Sequence, residues 1–419
     1  MDILDAVYGK ITLSDDISIL IMDPLVQRLR HIRLSNIDSI QMPGIANISR
    51  FEHSIGTCYL VSQLGLYNNL TSNEKLTVQA AALLHDCLIS PYGHLVEEAM
   101  AFLNILFDHE KKFINLLPAD KNQEAGGIHR QLLFGRSPRL HEWLNKMFQG
   151  SNTDRLKEIS DIIQGKGTLG KLISGAVDLD NLDNVVRAAY HMGLSVDKNL
   201  PIKLANEIHF MKSEIAFGSN SLRRLEEWLD LREQVYSLFM LSKLDFAGKL
   251  MIIYSTIDAI KEGILTEFDW DLNDITFANK LLNSYESKDK KVMKSEMPFV
   301  RWLVGDFWNL SNLFWMDNLL PKYSTLIGFN EGISERLGRK CYSYRIKDKR
   351  TRQLKILLDT GELCVIGEKP DRWLLGVGSP LRKQFTKKEN EIIVEYACEY
   401  FSCDFLGVAK KDDKQEMLF

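Results

Sequence analysis

The sequence predicts a mainly α-helical protein with a smaller C-terminal α+β region, and three observations carry that prediction. From Ala6 to about Gly263, apolar residues recur at three- and four-residue spacing, as in LVQRLRHIRL, TCYLVSQLGLYNNL and KLTVQAAALLHD. From Ile264 onward aromatic mass rises through Trp270, Phe299, Trp302, Phe307, Trp308, Phe314 and Trp315. The runs CYSYRI, QLKILLD, ELCVIGE and WLLGVG then bring short, β-branched or alternating patterns, which predict a small antiparallel sheet. The chain therefore divides into a helical region, 1–263, and a C-terminal α+β region, 264–419, and its 419 residues at 45% hydrophobic are ample for a buried core.

Individual elements follow from local signals. Pro43-Gly44 breaks the chain before a helix expected over Ser49 to Leu70. Thr71 and Glu74 stand at capping-box spacing and open a helix that ends at His85 and Asp86. Gly126-Gly127 is a further break before His129. The tryptophan-rich segment from Trp302 to Trp315 reads as core or an oligomer interface. Asp359-Thr360-Gly361 reads as a turn between two strands, Thr386 with Glu389 opens a last helix, and KKDDKQEMLF reads as a solvated tail.

Composition excludes more than it identifies. The net charge of −4, from 52 basic and 56 acidic residues, gives no bulk argument for a polyanionic partner. Six scattered cysteines without a C-x-x-C pair exclude a thiolate zinc ribbon and a dense disulfide framework, and a reducing compartment is the simplest setting. The acidic N-terminus lacks a basic leader, and no run reaches about 18 apolar residues, so a cytoplasmic protein without a membrane span is expected.

Chemistry concentrates in three separated pieces: Arg50-Phe51-Glu52-His53, Leu84-His85-Asp86 and Asp178-Leu179-Asp180-Asn181-Leu182-Asp183. Each places an imidazole or carboxylate on or at the end of a helix, and helices packed side by side converge such groups on one ion. Two imidazoles with carboxylates make a mixed nitrogen and oxygen set suited to Mn, Fe, Zn, Co or Ni and compatible with Mg. A metal with open positions would acidify water and polarise a phosphoryl oxygen, which is metal-assisted phosphoester or phosphoanhydride hydrolysis. Asp178 and Asp183 also read simply as acids favoured by a helix N-terminus.

Through QRLRHIR (27–33), PG…SRFEHSIG (43–56), ALLHDCLISPYGH (82–94), His109-Glu110 and DLDNLDNVVRAAYHMGL (178–194), the chain resembles the HD-domain phosphohydrolases, within them the deoxynucleoside triphosphate triphosphohydrolase branch. The resemblance covers roughly the first half. It implies an HD-domain helical core, one divalent ion held by His53, His85, Asp86 and Asp180, and Arg50 on the phosphate side. It also implies His109 as proton donor or phosphate contact, a nucleotide substrate and assembly into oligomers. His94 is expected to steady the metal-site loop by a hydrogen bond rather than to ligate. The helix LREQVYSLFML is similar to the family's R-x-x-V-Y helix and keeps Arg232 and Tyr236 as substrate-binding candidates, with Met240 where a tyrosine is expected.

The departures are concentrated on the substrate. The motif's second histidine is Ile89, and its sugar-contacting glutamine falls on Leu34. The triphosphate lysine falls on Asn181, the tyrosine on Asn184 and the sugar aspartate on Ala188. The reaction class is thus expected to hold while the substrate differs. RLGRKCYSYRIKDKRTRQ adds a basic stretch, Arg339, Lys340, Arg345, Lys347, Arg350 and Arg352 with Arg336 and Lys349, opposed by Asp348. It reads either as an anion or nucleic-acid patch or as the solvated face of the sheet. A phosphodiesterase or nuclease acting on single strands, and a non-enzymatic nucleotide-sensing module that keeps its metal, are the competing functions.

Overall fold

Ser49, Thr71 and Thr386 each open a helix by the same device, the hydroxyl accepting from the backbone N–H three residues on while the glutamate there reaches back to the cap. In the computed structural model these helices run Arg50–Ser62 (α1), Ser72–Leu84 (α2) and, near the other end, Lys387–Phe401. The helix expected to reach Leu70 stops at Ser62, and a short 3₁₀ turn at Tyr67–Asn69 follows. The described residues are 1–36, 39, 41–113, 138–147, 152–211, 214–266, 269–284, 303–304, 308–310, 324–347, 349–350, 352–368, 373–380, 384–402 and 405–408. The Gly126-Gly127 break and the KKDDKQEMLF tail lie outside them, as does the Trp302–Trp315 segment apart from two short strands.

The protein is mainly α, with short strands. A hairpin of Asp2–Asp5 (β1) and Gly9–Thr12 (β2) begins the chain. After α2 come His94–Phe102 (α3), His109–Lys112 (α4), Leu179–His191 (α5), Leu222–Leu241 (α6) and Lys243–Lys261 (α7). Ser324–Leu337 (α8) and the final helix, α9, complete the C-terminal helices considered below. Among the described residues no helix is long and apolar enough to cross a membrane.

The strands form an arrangement the sequence does not announce. Tyr342–Lys347 (β7) and Trp373–Ser379 (β10) pair antiparallel in one sheet with Leu303–Val304 (β5), Trp308–Leu310 (β6) and Phe405–Val408 (β11). Leu354–Leu358 (β8) and Leu363–Ile366 (β9) make the expected hairpin around Asp359-Thr360-Gly361, with Gly361 at φ 85°. That hairpin joins a second sheet, in which β8 pairs in parallel with Glu214–Phe217 (β4), itself antiparallel to Ile208–Met211 (β3). A hairpin as short as β3–β4 is too brief to interrupt a helical periodicity read over longer windows.

Two apolar clusters organise the packing. In the first, α1 packs against α2 and α5, and α5 against α6, with Leu354, Ile356 and Leu358 of β8 in the same core. The second joins Leu95 and Met100 of α3 to Phe246 and Leu250 of α7, Phe329 of α8, Val377 of β10 and Phe401 of α9. A helix from the first quarter of the chain is thus built into the core of the C-terminal elements.

Candidate metal centre

The capping box at Ser49 starts α1 so that Arg50 falls in its first turn and His53 one turn later, both buried. His53 directs Nδ1 to Asp183 Oδ2 at 2.7 Å and Nε2 to Asp180 Oδ1 at 2.9 Å. At the end of α2, His85 turns Nδ1 to the Ala82 carbonyl at 2.8 Å, and its buried Nε2 has no hydrogen-bond partner among the described residues. A ring that donates from Nδ1 leaves a lone pair on Nε2, which is the form a metal takes. The two rings stand 5.2 Å apart, and His53, His85 and Asp180 each bring a ligand atom within 4.8 Å of the others.

Asp86 stands beside this trio, with Oδ2 3.5 Å from His85 Nε2 and 2.6 Å from Arg50 Nη1. Burial opposes its ionisation, but the Arg50 guanidinium and the surrounding histidines hold it well below the usual carboxylate range. Burial also disfavours a charge on His53, yet the carboxylates of Asp180 and Asp183 outweigh it and lift the ring to about 9. Carboxylates that draw a proton onto a buried imidazole would be satisfied equally by a cation, and the orphaned His85 Nε2 points into the same space. The donor set therefore fits a divalent ion with mixed nitrogen and oxygen ligands.

Gly56 explains how α1 and α5 approach closely enough for this. A Cβ there would lie 2.2 Å from Asp183 Oδ1 and 2.4 Å from Arg187 Nη2. Asp183 is fully buried, and Arg187 holds it through Nε and Nη2 at 2.9 Å each. Arg187 in turn reaches Asp5 Oδ2 through Nη1 at 2.9 Å. Asp178, by contrast, is the N-cap of α5 and accepts from the Asn181 N–H.

A second cluster adjoins the first. Glu97 of α3 bridges two rings, with Oε1 2.7 Å from His109 Nδ1 and Oε2 2.8 Å from His94 Nδ1. His109 Nε2 faces Asp86 Oδ1 at 3.8 Å. Burial opposes both charges, but the hydrogen bonds prevail: His109 is raised, and Glu97 is lowered to about 2. Both Nδ1 atoms are thus spent on one carboxylate. Glu97 escaped the sequence reading, although its i+3 position from His94 on a helix is a legible signal.

Arg50, His53, His85, Asp86, Asp180, His94, Glu97 and His109 line one cavity of about 710 Å³. Tyr236 lines it, whereas Arg232 does not; its guanidinium lies over the Tyr236 ring and donates to the carbonyls of Lys349 and Arg350. Leu34, Asn181, Asn184 and Met240, four of the positions at which the motifs depart, line it as well. The basic stretch is dispersed. Arg345 faces the cavity, Arg339 is buried over Phe385 and beside Glu389, Lys340 lies over Tyr342, and Arg352 donates to the Gly175 carbonyl. Arg350 is half-buried, and the side chain of Lys347 is outside the described residues. Lys249, Tyr344, Arg345 and Lys349, supplied by α7, β7 and the residues just after β7, line the same cavity as the ligand trio.

Comparison with known proteins places this geometry. Residues 50–131 match the family model described as the HD domain. An uncharacterized protein of Methanocaldococcus jannaschii is 27% identical over 264 residues, 62% of this chain and 50% of that protein. The deoxynucleoside triphosphate triphosphohydrolase SAMHD1 homolog of Dictyostelium discoideum is 25% identical over 317 residues, 70% of this chain and 56% of that one. Human deoxynucleoside triphosphate triphosphohydrolase SAMHD1 is 26% identical over 209 residues, 45% of this chain and 33% of the human protein. The chain thus spans about half the length of the Methanocaldococcus and Dictyostelium relatives. Over residues 50–131 the chain is thus similar to the HD domain, and the ordered histidine and aspartate motifs that begin there converge in space with Asp180.

Proposed function

We propose that the chain is a metal-dependent phosphohydrolase acting on a nucleotide, similar in reaction to the deoxynucleoside triphosphate triphosphohydrolases. One observation carries this reading. Two imidazoles with fixed Nδ1 partners aim Nε2 at a shared carboxylate, and an arginine and a carboxylate-bridged histidine pair stand beside them in one cavity. His53, His85 and Asp180, with Asp86 alongside, would hold one divalent ion, whether Mn, Fe, Mg, Zn, Co or Ni. Such an ion supplies Lewis acidity toward a phosphoryl oxygen and makes water a competent nucleophile near neutral pH.

The chain's own residues supply the rest. Asp183 fixes the His53 ring, and Arg50, anchored between Asp86 and Asn36, brings a guanidinium to neutralise charge growing on phosphorus. His109, whose charged form the Glu97 hydrogen bond favours against burial, offers Nε2 to the leaving oxygen, and His94 shares the same carboxylate. Apolar or amide side chains at Leu34, Asn181, Asn184 and Met240 leave few groups to read a sugar hydroxyl, so the preference for deoxyribo- over ribonucleotide is expected to stay under about tenfold in kcat/KM. A homo-oligomer is part of this reading and is checked by light scattering.

Elemental analysis, followed by a screen of nucleoside mono-, di- and triphosphates, phosphomonoesters and short oligonucleotides, tests it against a His85→Ala, Asp86→Ala double variant. Loss of both metal and turnover in the variant is expected. Equal metal in both proteins overturns the ligand assignment, and metal loss without turnover of any substrate by the native chain overturns the hydrolase. Cleavage confined to oligonucleotides would favour the nuclease instead. Its basic stretch is split between the cavity, α9 and the loop before α5, which is a poor track for a strand.

A further inference from the structure

The cavity is also lined by cations to which the reaction as described assigns no task. On the metal side Asn181 is occupied, its Nδ2 donating to both oxygens of Asp178 at 2.9 and 3.0 Å. Arg50 is committed to Asp86 and Asn36. Among the described residues, the other lysine and arginine side chains that line the cavity are Lys249 of α7, Arg345 of β7 and Lys349 just beyond it.

Lys249 is half-buried, and among the described residues no carboxylate forms an ion pair with it. Its acidic neighbour Glu98 accepts a hydrogen bond from the Tyr344 hydroxyl, and burial pushes the Glu98 carboxyl upward, toward its neutral form. Burial and the like charge of Lys349 work against the Lys249 ammonium, with Asp245 and Glu98 in opposition, and the net effect lowers it. Lys349 is held in place by its backbone, because Arg232 grips its carbonyl. A desolvated lysine facing another lysine is costly unless an anion joins them. The cavity, at about 710 Å³, is within the usual size of small-molecule sites, and the metal ligands line it together with these lysines.

We propose that Lys249 and Lys349, with Arg345 beside them, bind the phosphates of the substrate beyond the one attacked, so that the substrate is a small ester carrying a chain of at least two phosphates. This rests on the phosphohydrolase reading for which phosphate is attacked, while the anion site stands on its own residues. Arg232 is then a positioning residue that sets the Lys349 backbone. Glu98 and Tyr344, hydrogen-bonded to each other, line the same cavity.

The test uses the full-length, metal-replete protein and calorimetric titration with the magnesium salt of a non-hydrolysable deoxynucleoside triphosphate, against the matching monophosphate. The triphosphate is expected to bind at least about tenfold tighter, and K249Q and K349Q each to lower its affinity about tenfold while leaving the monophosphate within about twofold. K249R, which keeps the charge, is expected to restore most of the triphosphate affinity. Metal content and the thermal midpoint confirm that the variants are intact, and if K249Q does not fold, the exposed Lys349 carries the test. Equal affinity for the two nucleotides in the native protein, or variants that weaken both nucleotides alike or neither, overturns the proposal. So does a single-stranded oligonucleotide that outcompetes the triphosphate and loses its binding in the same variants. Triphosphate binding with this pattern but no turnover would sink the hydrolase and leave the phosphate site. Turnover without the pattern would do the reverse.

Discussion

His53 is the end of a buried chain of charge that begins at the N-terminal hairpin: Asp5 to Arg187, Arg187 to Asp183, Asp183 to His53. Arg187 keeps Asp183 ionised despite its full burial, and an ionised Asp183 is what holds the imidazole with Nε2 free to face Asp180. Asp183→Asn keeps the shape but weakens this acceptor, and metal affinity measured by competition with a chelator is expected to fall about 10–100-fold. At Glu97 the pH dependence has a definite sign. Its carboxyl drops from an ordinary 4.5 to about 2 because hydrogen bonds from His109 and His94 overcome burial. A depressed acid stabilises the fold above its unfolded value and loses that contribution as pH falls. Urea unfolding should therefore show the native protein losing on the order of 2 kcal/mol between about pH 4.5 and 2 from this group, a window missing in Glu97→Gln.

At the scale of elements, helix starts and close approaches decide the site. Without its capping box, Thr71→Ala should cost about 1 kcal/mol in urea unfolding, since α2 loses a partner for its first N–H groups. Gly56→Ala should cost roughly 1–3 kcal/mol, because a methyl there meets Asp183 and Arg187 and α1 must move off α5. It should also reduce bound metal, which elemental analysis would register, whereas Thr71→Ala should not. These elements were legible because each signal is local: Thr71 and Glu74 lie three residues apart, and His85 and Asp86 follow where the helix stops. The three histidine and aspartate motifs were legible for the same reason. Lys249 gave no such signal, and Tyr344 and Lys349 stood only within a basic stretch readable as an anion patch or a solvated face, since what makes them cavity residues is the packing of α7 and β7 against α3. Arg232 looked like a substrate contact from its motif, and only tertiary structure turns it toward the carbonyls of residues 349 and 350.

Across the whole molecule, the two apolar clusters do not follow the division at residues 263 and 264 that composition suggests. Leu95 and Met100 of α3 belong to the core completed by Phe329, Val377 and Phe401. A chain ended at residue 263 should therefore expose that apolar face, bind a hydrophobic dye and lose its cooperative thermal transition, rather than survive as a working half. The strands were harder to place than the helices, because sheet membership is a matter of distant partners. CYSYRI and QLKILLD are neighbours in sequence, yet β7 and β8 belong to different sheets. The parallel pairing of Ala216 and Phe217 with Leu357 and Leu358 carries a consequence for the order of assembly. Seen from the ribosome, the β3–β4 hairpin emerges long before the strand that completes its sheet, and its open edge must wait for most of the remaining chain to be synthesised. Such a late, non-local closure slows folding, leaves an unpaired strand exposed meanwhile, and makes this sheet the place where a nascent chain most needs protection from aggregation.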